Sequence, residues 1–494
     1  MYRTIPQLLV EAAAQHADRE WLRADDGAVT FAAAAGAVGG RAVALRERGV
    51  RPGDLVLLTA RTTPAYLLAW LAVTSLGAIA VPCNPASSQA ELAGLIGQVE
   101  PKLVITDAEL RGLVATEALL DVAELDSIAA AEVPTAVAPD DIALLIPTSG
   151  TTGRSKLVMQ THRAYAMAGE GFPYWMELTD QDRLMTSLPL FHVNAPAYSV
   201  LGSLACGAGL ILLPRFSASG FLDAARQHGA TEFNAIGAML EILMRQPERD
   251  DDADTALRLC YTGPAPDRER HLEIERRFGL RIVCGYAMSE SPYGLIWPRG
   301  SRLYGTLGTV RQHPRLGVVN AGRVVDDDGG PTPVGEVGEL MLRNPAVTPG
   351  YWHMPDETAA AITSDGWLHT GDLVTADDQG VYTFVARKKE VLRRRGENLS
   401  PAEVEDVLGA HPDVLECAVV GVPSDLSEEE IKAFVVTSAT ADFGALQAWA
   451  RERLSKFKVP RYWQQLDALP RTPTQRVAKH RLPAGHPDDE VDLG

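Results

Sequence analysis

The sequence predicts an α/β protein in two parts, a large N-terminal domain and a small C-terminal one. Three observations carry this. From Thr30 to about Ile236, short apolar runs alternate with helical patterns. A chain of 494 residues is too long for one ordinary core. The composition then changes abruptly at Arg387, where Arg387 to Arg395 holds six basic residues and one acid.

The runs Leu55–Thr59, Ala78–Val81, Leu103–Thr106, Ile142–Pro147, Arg183–Ser187, Leu210–Leu213 and Glu232–Ala235 read as strands with helical segments between several of them. That alternation is the rhythm of largely parallel sheets. Pro64 to Cys83 is almost wholly apolar and about as long as a membrane span. Gly77 divides it, however, into a helix (65–76) and a short strand ended by Pro82 and Pro85. A buried helix feeding a buried strand is ordinary α/β packing. Residues 300–385 are rich in Gly, Val and turn pairs such as Asp328-Gly329 and Asp365-Gly366, which predicts a smaller β-rich unit.

After the basic run, Ser400-Pro401-Ala402-Glu403 has the spacing of a capping box opening a helix. A strand (Glu416–Gly421), another (Ala433–Thr437) and a helix (Phe443–Leu454) follow as a βαβ-like tail, and the acidic last ten residues are expected to be mobile. The expected boundaries are 1–386, a junction at 387–389, and 390–494.

The net charge is −18, which argues against nucleic-acid or anionic-membrane partners. None of the five cysteines (Cys83, Cys206, Cys260, Cys284, Cys417) sits at C-x-x-C spacing, so neither a zinc site nor a disulfide framework is predicted. Met1 to Glu20 lacks the long apolar run of a signal peptide. A reducing cytoplasm fits best.

The most informative segment is Thr148-Ser149-Gly150-Thr151-Thr152-Gly153-Arg154-Ser155-Lys156, placed directly after an apolar strand. Six small residues in a row serve no core. Glycines let the backbone approach a ligand, while N–H groups, hydroxyls and the Lys156 ammonium suit a phosphate. The spacing differs from the G-x-x-x-x-G-K-[ST] loop of kinases, whose Lys directly follows the second Gly.

This segment resembles the T-S-G-T-T-G-x-P-K signature of the acyl-adenylate-forming superfamily, which includes acyl-CoA synthetases, peptide-synthetase adenylation domains and luciferases; Ser155 stands where Pro is usual. The resemblance recurs in order along nearly the whole chain. Leu188-Pro189-Leu190-Phe191-His192-Val193-Asn194 is similar to the acyl-pocket entrance, with His192 as an aromatic gate. Gly263-Pro264-Ala265-Pro266 resembles the adenine-contacting G-G-A-P turn. Gly285-Tyr286-Ala287-Met288-Ser289-Glu290 resembles Y-G-x-T-E, in which the ring stacks on adenine, the hydroxyl touches phosphate and the Glu holds Mg²⁺. Trp367-Leu368-His369-Thr370-Gly371-Asp372 is similar to G-W-x-x-T-G-D, whose Asp takes both ribose hydroxyls.

Arg387-Lys388-Lys389-Glu390 resembles the hinge, with Arg387 toward ribose or phosphate and Lys389 as pivot. Arg393-Arg394-Arg395-Gly396-Glu397-Asn398 resembles the loop that faces the thioester-forming site in CoA-using relatives. The resemblance implies a large domain of two βα sheets plus a distorted β-barrel, and a small α+β domain that rotates. It implies ATP, Mg²⁺ and coenzyme A as cofactors and a small to medium carboxylic acid as substrate. The pocket wall would include His192, Val193, Asn194, Asn234 to Met239 (Gly237 among them), Gly285, Ala287, Met288 and Tyr293. No carboxylate in these segments is placed to pair with a cationic acid.

One motif departs from the pattern. The family ends on P-x-T-x-[ST]-G-K, with a catalytic Lys. This chain reads Pro470-Arg471-Thr472-Pro473-Thr474-Gln475-Arg476, so Arg476 stands in the lysine's place. Arg keeps the charge but not the shape. With 8 Lys against 38 Arg, the chain's general bias would favour a drifted but working Arg; the competing explanation is an unusual first half-reaction. Lys479, three residues on, would substitute only in a remodelled loop.

The leading expectation is an acid–CoA ligase, monomer or homodimer, resembling the carnitine-CoA ligase-like branch. Two alternatives stand beside it. One is an adenylate-forming ligase of secondary metabolism with another acid or acceptor, such as nitrite adenylation and diazotisation of an aryl amine. The other is a nucleotide-binding pseudo-enzyme, which the intact Lys156, Glu290 and Asp372 disfavour.

Overall fold

A computed structural model describes residues 2–126, 128–148, 156–263, 265–388, 392–394, 397–423, 429–454, 456–472, 477–483 and 490–493. The chain forms two compact units. The first comprises Met1–Gly322, Leu342–Leu368 and Gly380–Tyr382; the second comprises Arg323–Met341, His369–Gln379 and Thr383–Gly494. The second unit therefore takes in two stretches from the β-rich segment as well as the C-terminal part of the chain.

The first unit contains a six-stranded sheet in the order Leu119–Asp121, Leu103–Thr106, Leu55–Thr59, Ile79–Pro82, Ile142–Thr148, Lys156–Thr161. All neighbours are parallel except the last pair, a hairpin in which Thr148 lies opposite Lys156. Side chains alternate between two cores. Val56, Leu58, Ala80, Ile105, Leu144 and Ile146 enter one cluster, and Leu57, Val81, Val104 and Leu145 enter another on the opposite face. Burial on both faces is why these strands read as continuous apolar runs and not as alternating ones.

A nine-stranded sheet completes the unit. Its parallel centre runs Arg281–Met288, Leu259–Thr262, Glu232–Asn234, Arg183–Thr186, Gly209–Leu212, Glu20–Ala24, with antiparallel strands at both ends. The apolar stretch at Pro64 is a helix, Pro64–Ser75, capped by the Thr63 hydroxyl accepting from the Tyr66 N–H. It passes through Gly77 (φ +79°) into the strand Ile79–Pro82. No helix among the described residues is long and apolar enough to cross a membrane.

The segment expected as a distorted barrel carries a four-stranded sheet in the order Ala321–Val325, Gly338–Arg343, Leu368–Ala376, Tyr382–Arg387. C-terminal to it, Val414–Pro423 and Glu429–Thr437 pair antiparallel, and Glu429–Thr437 runs parallel to Tyr462–Gln465 across the helix Phe443–Arg453. That helix and Pro401–Gly409 cover one sheet face through Val404, Leu408, Leu446, Ala450 and Trp463.

Two expectations fail here. The helix at Pro401 begins where predicted, with Ser400 as N-cap, but no side-chain cap bond forms. Glu403 is drawn instead to Lys458 Nζ, 2.6 Å away, because a full charge outbids a neutral backbone N–H. The chain's acidic end is not loose at 490–493. Val491–Asp492 pairs antiparallel with Tyr462–Trp463, Asp492 binds Arg461 at 2.8 Å, and Glu490 forms a buried ion pair with Lys432.

Candidate active site

Parallel strands of an α/β sheet present ligand-binding residues at their C-terminal ends. Arg281–Met288 does so here: Ile282 to Gly285 are buried, whereas Tyr286 to Glu290 are half-exposed. Gly285 and Gly263 let two adjacent strand ends converge. A Cβ on Gly263 would lie 2.5 Å from the Gly285 carbonyl oxygen, and one on Gly285 would lie 2.6 Å from the Tyr261 hydroxyl. Any larger side chain at either position would push the strands apart.

Lys156 and Glu290 are 134 positions apart in the chain and meet across one ring. Lys156 Nζ sits 4.7 Å from the centroid of Tyr351, and the Tyr351 hydroxyl donates to Glu290 Oε1 at 3.0 Å. Burial, with the Glu290 charge added to it, holds the Tyr351 phenol well above its ordinary pKa, so it stays a donor. Three bonds brace this corner. The Gln160 amide donates to the Ser289 carbonyl, the Thr348 N–H to the Glu290 carbonyl at 2.7 Å, and the Thr348 hydroxyl to the Met159 carbonyl. At the mouth of the hairpin, the Thr148 hydroxyl donates to the Lys156 carbonyl at 3.2 Å.

Two of the expected wall segments meet, 192–194 and 234–239. His192 is half-buried, its ring 4.5 Å from Phe191. Val193 and Asn194 are half-buried beside it, and Asn194 Oδ1 accepts from Asn234 Nδ2 at 2.6 Å. Gly237 opens the helix Gly237–Met244. Ala265 is half-buried next to Gly263, and the Tyr286 hydroxyl contacts Met288 Sδ at 3.8 Å.

In the second unit, Asp372 is fully buried and Arg387 Nε lies 2.6 Å from its Oδ1. Lys388, beside the expected pivot, binds Asp327 at 3.0 Å and Glu339 at 3.3 Å, and the Asp327 bond raises its pKa. Arg394 departs from the expected basic loop. It is buried, paired with Glu430 at 2.6 Å, and donates to the Val459 carbonyl, so this member of the cluster holds the unit together. Lys479 is likewise engaged, with Glu405 at 2.8 Å. Ser149, Gly150, Thr151, Thr152, Gly153, Pro264, Lys389, Gly396 and Arg476, and the Arg393 side chain, lie outside the described residues.

Sequence reasoning missed Tyr351, the group that joins Lys156 to Glu290. It belongs to none of the recognisable motifs, and its only signal is an aromatic residue after Pro349-Gly350 in a turn-rich stretch.

A Gly-rich segment between hairpin strands, a lysine-tyrosine-glutamate corner and the strand-end glycines define a nucleotide-activating α/β enzyme. Comparison with known proteins agrees. Residues 9–352 match the AMP-binding enzyme family, and residues 403–476 match the AMP-binding enzyme C-terminal domain. The chain belongs to this family and is an AMP-forming acid–thiol ligase by class.

It is 32% identical over 510 residues to a sulfoacetate–CoA ligase of Cupriavidus necator, covering 98% of each chain. It is 30% identical over 469 residues to a crotonobetaine/carnitine–CoA ligase of Salmonella typhi, covering 88% of this chain and 89% of that one. Among solved structures, ATP-bound MatB from Rhodopseudomonas palustris matches with a TM-score of 0.86 at 28% identity, covering 98% of both chains. A benzoate CoA ligase from Burkholderia xenovorans matches with 0.86 at 26%, covering 97% of this chain and 99% of that one.

Proposed function

We propose that the enzyme activates a small to medium carboxylic acid as its acyl-AMP and passes the acyl group to coenzyme A. The Lys156–Tyr351–Glu290 corner is the observation that carries this reading. It brings a cation and a carboxylate together across one tyrosine ring, which a protein that only binds nucleotide does not need.

In the first half-reaction the acid's carboxylate oxygen attacks the α-phosphorus of ATP, and the bond to pyrophosphate breaks. Lys156 and the N–H groups of the 149–153 loop offset charge on the departing phosphates. Glu290 suits Mg²⁺, which commonly takes one or two carboxylates and fills its remaining positions with phosphate and water. Tyr351 donates to one of its oxygens, and the other has no partner among the described residues. No group of three or more His, Cys, Asp or Glu collects among the described residues, in keeping with so light a protein contribution. The ion, when bound, would neutralise phosphate charge.

Tyr286 and Gly263 to Ala265 frame the adenine, Ser289 meets phosphate, Asp372 accepts from the ribose hydroxyls, and Arg387 contacts the ribose or phosphate. In the second half-reaction the thiolate of CoA attacks the acyl carbon and AMP leaves. Lys389 serves as the pivot between the two steps, Arg393 and Gly396 line the thiol's side, and His192 gates the acyl group. Arg476 takes the role of the family's lysine. The enzyme works in the cytoplasm as a monomer or homodimer.

Incubation with Mg·ATP, a panel of carboxylic acids, and CoA present or absent tests this. Acid-dependent pyrophosphate with CoA-dependent turnover is expected. Pyrophosphate only with nitrite and an aryl amine would refute the reading in favour of diazotisation, and nucleotide binding without turnover would make the chain a pseudo-enzyme.

A further inference from the structure

Arg311 is an anomaly. It is wholly buried, and its guanidinium meets tyrosines and no carboxylate among the described residues. Three tyrosine rings surround its guanidinium instead, with centroids 5.2 Å (Tyr198), 5.8 Å (Tyr261) and 5.4 Å (Tyr293) away. Nη2 donates to the Tyr261 hydroxyl at 2.9 Å, while Nε and Nη1 have no hydrogen-bond partner among the described residues. An unpaired buried charge is among the least favourable things a core can hold, and ring faces offset only part of the loss of water.

The position explains what the charge is for. Tyr261 pairs in register with Asn234 on one neighbouring strand and with Val283 on the other, one residue before the Thr262–Cys284 pair and two before Gly285. Its hydroxyl occupies the space where a Gly285 side chain would be. Tyr198 lies on the helical segment Ala195–Val200, directly after His192 to Asn194, and Tyr293 follows Glu290 on Ser291–Ile296. Tyr293 is itself one of the expected wall residues, Tyr198 follows the expected wall segment His192 to Asn194, and Tyr261 lies between the strands that carry Asn234 and Gly285. Arg311 stands one hydroxyl behind that wall.

We propose that Arg311 sets the charge preference of the acyl pocket, so that the acid carries a second anionic group besides the carboxylate that is activated. This deepens the ligase reading and rests on it. A fixed positive charge that is itself fully buried favours a dianion over a neutral acid of equal size and disfavours a cationic one, because little solvent screens it. The absence of any carboxylate from the wall segments points the same way. Arg311 acts through Tyr261, as a positioning residue, and takes no part in bond making.

The test measures kcat/KM by pyrophosphate release for acids of matched size: sulfoacetate and malonate (second anion), propionate and butyrate (neutral), and glycine betaine and β-alanine (cationic). The wild type is expected to favour the dianions over the neutral acids by at least about 10-fold. Arg311→Met should erase that ratio and Arg311→Lys should keep most of it. Unchanged ratios in both variants, with only Tm lowered, would reduce Arg311 to a packing residue and overturn the proposal. Should Arg311→Met not fold, the wild-type ranking and Arg311→Lys still decide. A wild type that turns over neutral or cationic acids faster with CoA refutes this inference alone. No turnover with any acid refutes the ligase reading and this inference with it.

Discussion

Tyr351→Phe isolates the join between Lys156 and Glu290. The ring stays beneath the Lys156 ammonium, and only the hydroxyl that donates to Glu290 at 3.0 Å is lost. A hydrogen bond to a charged acceptor is worth about 1.5–3 kcal/mol. Glu290 is half-exposed, so the lower end applies. At about 1.4 kcal/mol per decade, this amounts to a loss of about 10-fold in kcat/KM for Mg·ATP.

The loss should fall on KM for Mg·ATP more than on KM for the acid, and should deepen at low Mg²⁺, because a less firmly held Glu290 serves the metal less well. Tyr351→Ala also removes the ring. The ammonium–ring contact adds about 0.5–1 kcal/mol, and emptying a buried aromatic site destabilises the fold by about 3–5 kcal/mol. The Ala variant should therefore lose several-fold more activity and unfold at a lower temperature. Steady-state pyrophosphate release over a Mg·ATP titration, with thermal melts of both variants, is the assay. A Phe variant within about twofold of wild type, less than losing even a weak charged hydrogen bond would cost, would show that the hydroxyl does not position Glu290, and the account of this corner would fail.

Two further outcomes are expected. Glu232 is fully buried in the nine-stranded sheet with no partner for either oxygen among the described residues, and burial, with Asp182 nearby, holds its carboxyl well above the usual carboxylate range. A folded-state pKa raised above the unfolded one gives stability that is complete below the unfolded value and is lost as pH rises through the folded one. Glu232→Gln should accordingly melt above wild type at pH 8, with the gap closing as pH falls toward 4; a gap that is constant with pH would refute the assignment. Arg476→Lys should retain or raise acid-dependent pyrophosphate release, since it restores the family's residue, and loss of that step would show that Arg476 is not a drifted lysine.

The sequence by itself determined the sheet strands, since Leu55–Thr59 and Leu103–Thr106 have the bounds their composition predicts. Strands buried on both faces must be apolar throughout, and that signal is local. It also singled out the 148–156 segment, Glu290 and Asp372 as candidates, because motif chemistry is carried by contiguous residues. What it could not determine were contacts made by chain reversal. The Ser400 capping box lost Glu403 to Lys458, 55 positions away. Arg394, read as part of a ligand-facing cluster, is buried against Glu430. Tyr351 and Arg311 lie outside every motif, and only packing sets one between Lys156 and Glu290 and the other inside three tyrosines. Charges and rings choose partners by distance in space, and tertiary structure alone fixes that distance.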